Sequence, residues 1–291
     1  MQDFPDDATC LEWLWHNRYA ADGEHAFCEK CGQTRKFARY STSQQRQSWT
    51  CTACGHHVHP TAGTIFHKSS TSLHLWFYAM YLMTSTRCGI SAKQLERELG
   101  VTYKTAWRMF HLIRNELMFQ DDEPLEDEVE ADETYVGGRR RGQPGRPPAG
   151  DRKKTPVFGM VERKGRVKAY VVEDVKTTTL MPHMIKYLGS ESTIDTDELR
   201  SYATLGRNGF EHHTIPHSIG VYVSGDVHTN TIEGFWSLVK RGIGGTHHAV
   251  SQKYLQGYLN EYAWRYNHRD RFDGPAQFGL LLARAASVLR V

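Results

Sequence analysis

The sequence lacks what would take it out of water. Its 291 residues contain no apolar run of 18 or more, so no helix is expected to span a bilayer. The opening "MQDFPDDATCLEWLW" is acidic where a secretory leader is basic, so the expected location is the cytoplasm, with no membrane partner. No internal repeat is present, and low complexity is approached in one stretch alone. A net charge of +3 is too small to argue for nucleic acid by itself. Cysteine is scarce as well, at six residues, which makes the placement of each informative. Hydrophobic content of 39% and charged content of 24% suit an ordinary folded chain, long enough for more than one domain.

The charge is unevenly placed. "DDEPLEDEVEADE" (121–133) is strongly acidic, and "GRRRGQPGRPPAGDRKK" (138–154) is strongly basic with Gly and Pro interspersed. The second stretch resists helix and strand and reads as a cationic loop suited to phosphate, with Arg139, Arg140 and Arg141 at its head. A solvated surface loop is the alternative.

Four cysteines fall as Cys28-x-x-Cys31 and Cys51-x-x-Cys54, with nineteen residues between the pairs. Each "C-x-x-C-G" knuckle puts two thiolates on one tight turn, and two knuckles complete a tetrahedral site for one structural zinc. Disulfides are the competing reading, disfavoured where thiols stay reduced. The spacer has strand-like pieces around a polar turn, as in a zinc ribbon. His56, His57 and His59 are expected outside the ligand set, and Cys10 and Cys88 as ordinary thiols.

Beyond the ribbon, "SLHLWFYAMYLMTS" (72–85) predicts a buried helix. "SAKQLERELGVTYKTAWRMFHLIRNEL" (91–117) predicts a helix, a turn at Gly100 and a second helix from Thr102 carrying Lys104, Arg108 and Arg114. That outline fits a DNA-reading helix-turn-helix, although any helical hairpin shares it. From 125 onward the pattern predicts three strands, a helix near 179–188, a short strand at "STIDTD", and two helices from 230 to about 267. This is a mixed sheet flanked by helices.

Three acids stand where such a sheet would end. Asp132 is on its first strand, Asp197 closes a short strand, and Glu233 follows on a helix with thirty-five residues between. Two strand-end aspartates and a helical glutamate can hold two Mg2+ or Mn2+ ions roughly 3.5–4 Å apart. Two features compete with this reading of Glu233. Asn230 precedes it by three, the spacing of a capping box, and Asn230 itself offers a neutral carbonyl as a rival ligand. Asp195 lies two residues before Asp197 and is its rival, while Glu130 would share the face of Asp132. Strand alternation sends Glu133 to the opposite face. In the last helix, Tyr258, Tyr262, Trp264 and Tyr266 with Arg265, His268, Arg269 and Arg271 suit core packing with a basic end, or stacking on frayed bases.

The ordered set "CEKCG…CTACG", "TAGTIFHKSSTSLHLWF", "ADETYVGG", "DTDELRSY", "HTNTIEGFWSLVKRG" and "YLNEYAWRYNHR" resembles DDE-type insertion-sequence transposases with an N-terminal zinc ribbon, in the group related to Merlin elements. The resemblance spans nearly the whole chain. It implies an α/β multidomain protein: a zinc-ribbon segment (1–66), a helix-turn-helix-like region (67–120), and a ribonuclease-H-like catalytic domain (121–291). It implies that Asp132, Asp197 and Glu233 are the metal-binding triad. Lys240, seven residues after the glutamate, would face DNA beside the active site, with Arg241 next to it. The implied activity is metal-dependent cleavage and transfer of DNA strands at the element's terminal inverted repeats. The expected partners are those repeats, target DNA and further copies of the chain, with nucleoid association when bound. Two readings compete: a zinc-ribbon DNA-binding regulator without catalysis, and a structure-specific nuclease.

Overall fold

The computed structural model describes residues 2–41, 47–86, 88–137, 154–215, 223–224, 227–269 and 274–287. These form two compact units, one of Met1–Leu117 with Arg271–Val291, the other of Met118–Asp270.

In the first unit, helix α1 (Asp7–Arg18) starts where Asp6 accepts the Thr9 N–H at 2.8 Å, with Asp7 in its first turn and Arg18 in its last. Both ends therefore complement the helix dipole. Its buried residues Leu11 and Trp15 share a core with Phe37, Trp49 and two of the paired cysteines. Trp15 stacks on Trp49 at 4.8 Å. The strands β1 (His25–Cys28), β2 (Gln33–Ser41), β3 (Gln47–Cys51) and β4 (His57–Val58) pair antiparallel in that order.

The expected buried helix is α2 (Leu73–Ser85), with Trp76, Phe77, Met80 and Met83 inside. Next, α3 (Ala92–Leu99) ends at left-handed Gly100, and Thr102 caps α4 (Tyr103–Leu112) by accepting from the Thr105 N–H. A last helix, α8 (Gly274–Ala286), sets Phe278 edge-on against Tyr81 and Phe4. The first unit thus holds the ribbon, the helical region and α8, which packs on α2. Among the described residues no helix is long and apolar enough to cross a membrane.

The second unit is built on a five-stranded sheet. Strands β5 (Glu128–Val136), β6 (Thr155–Glu162) and β7 (Val167–Val171) form an antiparallel meander. After α5 (Thr177–Tyr187), β8 (Thr193–Asp197) pairs parallel to β5, and β9 (Glu211–Ile215) parallel to β8. The spatial order is β7-β6-β5-β8-β9. A two-residue pair, β10 (Val223–Ser224) and β11 (Val227–His228), leads into α6 (Asn230–Gly242) and α7 (Gln252–Asn267).

Strand alternation divides the core between the two faces. Val129, Ala131, Phe158, Met160 and Ile194 pack with Leu180 and Met184 of α5. Val157, Val161, Val167 and Ala169 pack with Ile232, Phe235, Trp236 and Val239 of α6 and with Leu255 and Leu259 of α7. In α7, Tyr262 and Trp264 are buried, and buried Glu261 pairs with Arg265 at 2.8 Å, so these aromatics serve the core. Arg271 lies outside the described residues.

Candidate functional site

The parallel pairing of β5 with β8 stops at Ala131↔Thr196. One residue further along each strand stand Asp132 and Asp197, at the open side of β5. Carboxylate oxygens of Asp132, Glu133 and Asp197 all lie within 4.8 Å of one another there. Strand alternation sends Glu133 away from its neighbours. It does leave β5 toward the α5 face, where the Tyr202 hydroxyl donates to its Oε2 at 2.9 Å. With no β8 residue paired beside it, its long side chain still reaches the group formed by its neighbours.

Burial first, then the negative charges of Glu133, Asp197 and Glu233, push Asp132 up to about 8, against the pull of the Glu133 N–H. Hard oxygen donors crowded this closely suit a divalent cation such as Mg2+ or Mn2+. Asp197 is held by the Leu199 N–H, which donates to its Oδ1 at 2.9 Å. The Trp236 indole N–H donates to Asp132 Oδ2 at 3.1 Å. Trp236 reaches that position because Gly159, the β6 partner of Asp132, has no side chain: a Cβ there would meet its ring at 2.5 Å. Tyr202 and Trp236 were legible in sequence only as a motif member and a core aromatic.

The rivals separate by their partners. Asp195 is buried and engaged by Arg163 Nη2 at 2.8 Å and His213 Nδ1 at 3.3 Å. Glu130 is fully buried and accepts from the backbone of α6. The capping box expected from Asn230 does not form. The N-cap is Thr229, which makes no side-chain capping bond, and Asn230 and Glu233 are exposed. The Thr229 hydroxyl instead donates to Glu233 Oε1 at 3.4 Å. The Thr231 and Ile232 N–H groups of the first turn are met from β5, by Glu130. Glu233, Lys240 and Arg241 lie on the exposed side of α6, and the Arg241 Nε–H donates to the Ser237 carbonyl.

In the ribbon the four thiols converge, with all sulfurs within 4.8 Å of one another. Cys28 Sγ lies 3.6 Å from Cys54 Sγ, and Cys31 Sγ 4.0 Å from Cys51 Sγ. A tetrahedron with metal–sulfur bonds of ~2.3 Å has edges of ~3.8 Å, whereas a disulfide would need ~2.05 Å. The spacing is that of a tetrahedral thiolate site. In each knuckle a left-handed glycine, Gly32 or Gly55, turns its N–H back to the carbonyl of the first cysteine. Burial opposes ionisation of Cys51, but the N–H groups of Ala53 and Cys54 outweigh it and lower the thiol. His57 Nδ1 lies near the Ser48 and Thr50 hydroxyls, outside this group, and Cys10 is buried within α1.

Lys104 and Arg108 are exposed on α4. Arg114 is not available to DNA. It lies in the π-helical turn after α4, is buried, and stacks its guanidinium 3.5 Å from the Phe110 ring. Arg139, Arg140 and Arg141 lie outside the described residues.

Residues 124–267, which hold this sheet and its acids, match the ISXO2-like transposase domain. A protein of the transposable element ISH50 of Halobacterium salinarum is 31% identical over 271 residues, covering 87% of this chain and 88% of that relative. A transposase-like protein of Haemophilus influenzae is 30% identical over 107 residues, 37% of this chain and 85% of its own length. Among solved structures, the Mos1 strand transfer complex aligns at TM-score 0.29 and 14% identity, over 74% of this chain and 79% of that one. A pre-cleavage Mos1 transpososome aligns at TM-score 0.27 and 13% identity, over 70% and 77%. With the family domain spanning the acid-bearing sheet and a relative matched along almost its whole length, the chain belongs to the ISXO2-like family of DDE insertion-sequence transposases.

Proposed function

We propose that this transposase cleaves DNA at the terminal inverted repeats of its element and joins the freed ends to target DNA. The observation that carries the reading is the convergence of Asp132, Glu133 and Asp197 beside the helix bearing Glu233. The sheet supports it too. An antiparallel meander continued by two parallel strands, flanked by helices on both faces, is the arrangement of a ribonuclease-H-like core.

Asp132, Asp197 and Glu233 would hold two Mg2+ or Mn2+ ions, with Glu133 as a fourth carboxylate. When bound, such ions activate the attacking water or 3′-hydroxyl and stabilise the leaving oxygen of a phosphodiester. The protein's own contribution is positional. Trp236 and the Leu199 N–H fix the aspartate rotamers, and exposed Lys240 and Arg241 present cations to the DNA backbone beside the centre.

Cys28, Cys31, Cys51 and Cys54 would hold one structural zinc. DNA would be read through α4, with Lys104 and Arg108 foremost, and gripped without sequence preference by the 138–154 loop through Arg139, Arg140 and Arg141. An element has two ends to bring together, so the working form would be a dimer or larger assembly on DNA. Its place of action would be the cytoplasm, on nucleoid DNA. Incubation of the protein with labelled element ends and Mg2+ or Mn2+, followed by mapping of the cut phosphates, tests the reading. Binding without cutting, with all four acids intact, would leave a DNA-binding regulator; cutting without joining would leave a nuclease.

A further inference from the structure

Glu130 is engaged from several sides at once. Its side chain is 1% exposed. Its Oε2 accepts from the Thr231 N–H at 2.8 Å and the Ile232 N–H at 3.0 Å, and its Oε1 from the Thr231 hydroxyl at 2.7 Å. Arg163 Nε lies 3.3 Å and His228 Nδ1 3.0 Å from the same Oε1. A carboxylate offers about four acceptor positions, and these contacts use them, so Glu130 has no oxygen to spare for a metal.

The contacts form a chain between the sheet and the helix. Arg163, in the turn between β6 and β7, also engages Glu128 of β5 at 2.6 Å, Asp195 of β8 at 2.8 Å and the His228 carbonyl at 3.4 Å. Three strands thus hold one guanidinium, and the guanidinium holds Glu130. The first turn of α6 has orphan N–H groups that its own cap residue leaves unmet. A buried carboxylate accepting two of them, at the positive end of the helix, is a strong and directional seat. Glu130 is two residues from Asp132 on the same face of β5, and Thr231 is two residues from Glu233.

We propose that Glu130, held by Arg163, is a positioning residue that seats the N-terminus of α6 and so sets where Glu233 stands relative to Asp132. The inference rests on the reading of these acids as a metal centre. It assigns Glu130 no contact with metal or DNA.

Fe2+-directed hydroxyl-radical cleavage of the full-length protein tests it, because backbone cuts report which segments lie beside the bound ion, whatever the activity. With Fe2+, ascorbate and peroxide, the wild-type chain is expected to be cut near 132, near 197 and near 233. Glu130→Ala should keep the first two cuts and lose the third. Glu130→Gln keeps one oxygen for the α6 N–H groups but loses the ion pair with Arg163. It should fold, show a weakened cut near 233, and require more Mn2+ for half-saturation. A Glu130→Gln protein with the wild-type cut pattern and Mn2+ midpoint would overturn the proposal. Uniform loss of all three cuts in that variant would also overturn it, since Glu130 would then support the fold at large. A wild-type chain cut near neither 132 nor 197 would instead refute the metal-centre reading, and the proposal with it.

Discussion

The indole N–H of Trp236 donates to Asp132 Oδ2 at 3.1 Å, across the space left by Gly159. Helix α6 is thereby tied to the acid pair at its second turn, as Glu130 ties it at its first. Trp236→Phe deletes the bond and leaves a gap where the indole packs over Gly159. It should cost about 1–3 kcal/mol of stability and reduce cleavage of element ends about 10-fold. Gly159→Ala would drive a methyl into the indole and should cost about 1–3 kcal/mol. Denaturant unfolding alongside cleavage rates checks both. Wild-type cleavage in Trp236→Phe would show that the indole does not orient Asp132.

The crowding around Asp132 should be visible in the pH dependence of the metal-free protein. Asp132 keeps its proton in the folded chain up to about 8, against a usual aspartate value of 3.8. Between those values the folded state carries the extra proton, so this group makes stability fall as pH rises through that window. A divalent cation reverses the trend by favouring the ionised carboxylate. Stabilisation by Mg2+ or Mn2+ should therefore be small in mild acid and grow toward pH 8. Thermal melts with and without the cation, on either side of neutrality, read this directly. A metal increment independent of pH would remove Asp132 from the ligand set.

Substitution of the acids should separate chemistry from folding. Asp132→Ala, Asp197→Ala and Glu233→Gln should each lower strand cleavage on the order of 10³-fold or more, with DNA binding retained. Glu133→Gln should cost less, about 10–100-fold, as expected of a supporting carboxylate. Because Asn230 does not cap α6, Asn230→Ala should change stability by no more than about 0.5 kcal/mol. Near wild-type cutting by Glu233→Gln would return Glu233 to a surface role.

Elemental analysis of reduced, unchelated protein should find about one zinc per chain, since a four-thiolate site of this spacing contributes directly to folding. Removal by a strong chelator should change tryptophan emission, because Trp15 and Trp49 stack in the core that also contains Cys28 and Cys51. Cys51→Ser should produce the same change without chelator. Protein folded normally without zinc would defeat the assignment.

Lys104 and Arg108 differ from Arg114 in what their loss should do. Lys104→Ala and Arg108→Ala should relax preference for the element ends at unchanged stability. Arg114→Ala should instead destabilise by about 2–3 kcal/mol, through loss of its buried stacking on Phe110. Changes at Arg139, Arg140 and Arg141 should weaken binding to all sequences and flatten its salt dependence. Filter binding across salt concentrations, beside thermal melts, distinguishes the three sets.

Much of this arrangement was legible from local signals. Two CxxC knuckles state a four-thiol site because ligand spacing within a knuckle is set by a handful of backbone angles. The strands from β5 to β8 and helices α5 to α7 follow from hydrophobic periodicity, and Asp132 and Asp197 stand out as acids on those strands. The 3.6-residue period also put Glu233 and Lys240 together on a face beside that of Ile232, Trp236 and Val239, and both are exposed.

What the sequence could not state were the choices among chemically equal groups. Glu130, Asp132, Glu133, Asp195 and Asp197 are all carboxylates on neighbouring strands, and nothing local distinguishes them. Register decides: Arg163 from another turn engages Asp195 and Glu130, while the end of the β5–β8 pairing lets Glu133 join Asp132 and Asp197. The same holds for Asn230, a sound cap by local rule that is displaced by a carboxylate a hundred residues earlier in the chain, and for Arg114, basic in sequence yet buried against Phe110. Periodicity and motif spacing report interactions within a few residues along the chain. Which acid is neutralised, which is left to gather charge, and which holds a helix in place depend on partners brought near only by the sheet.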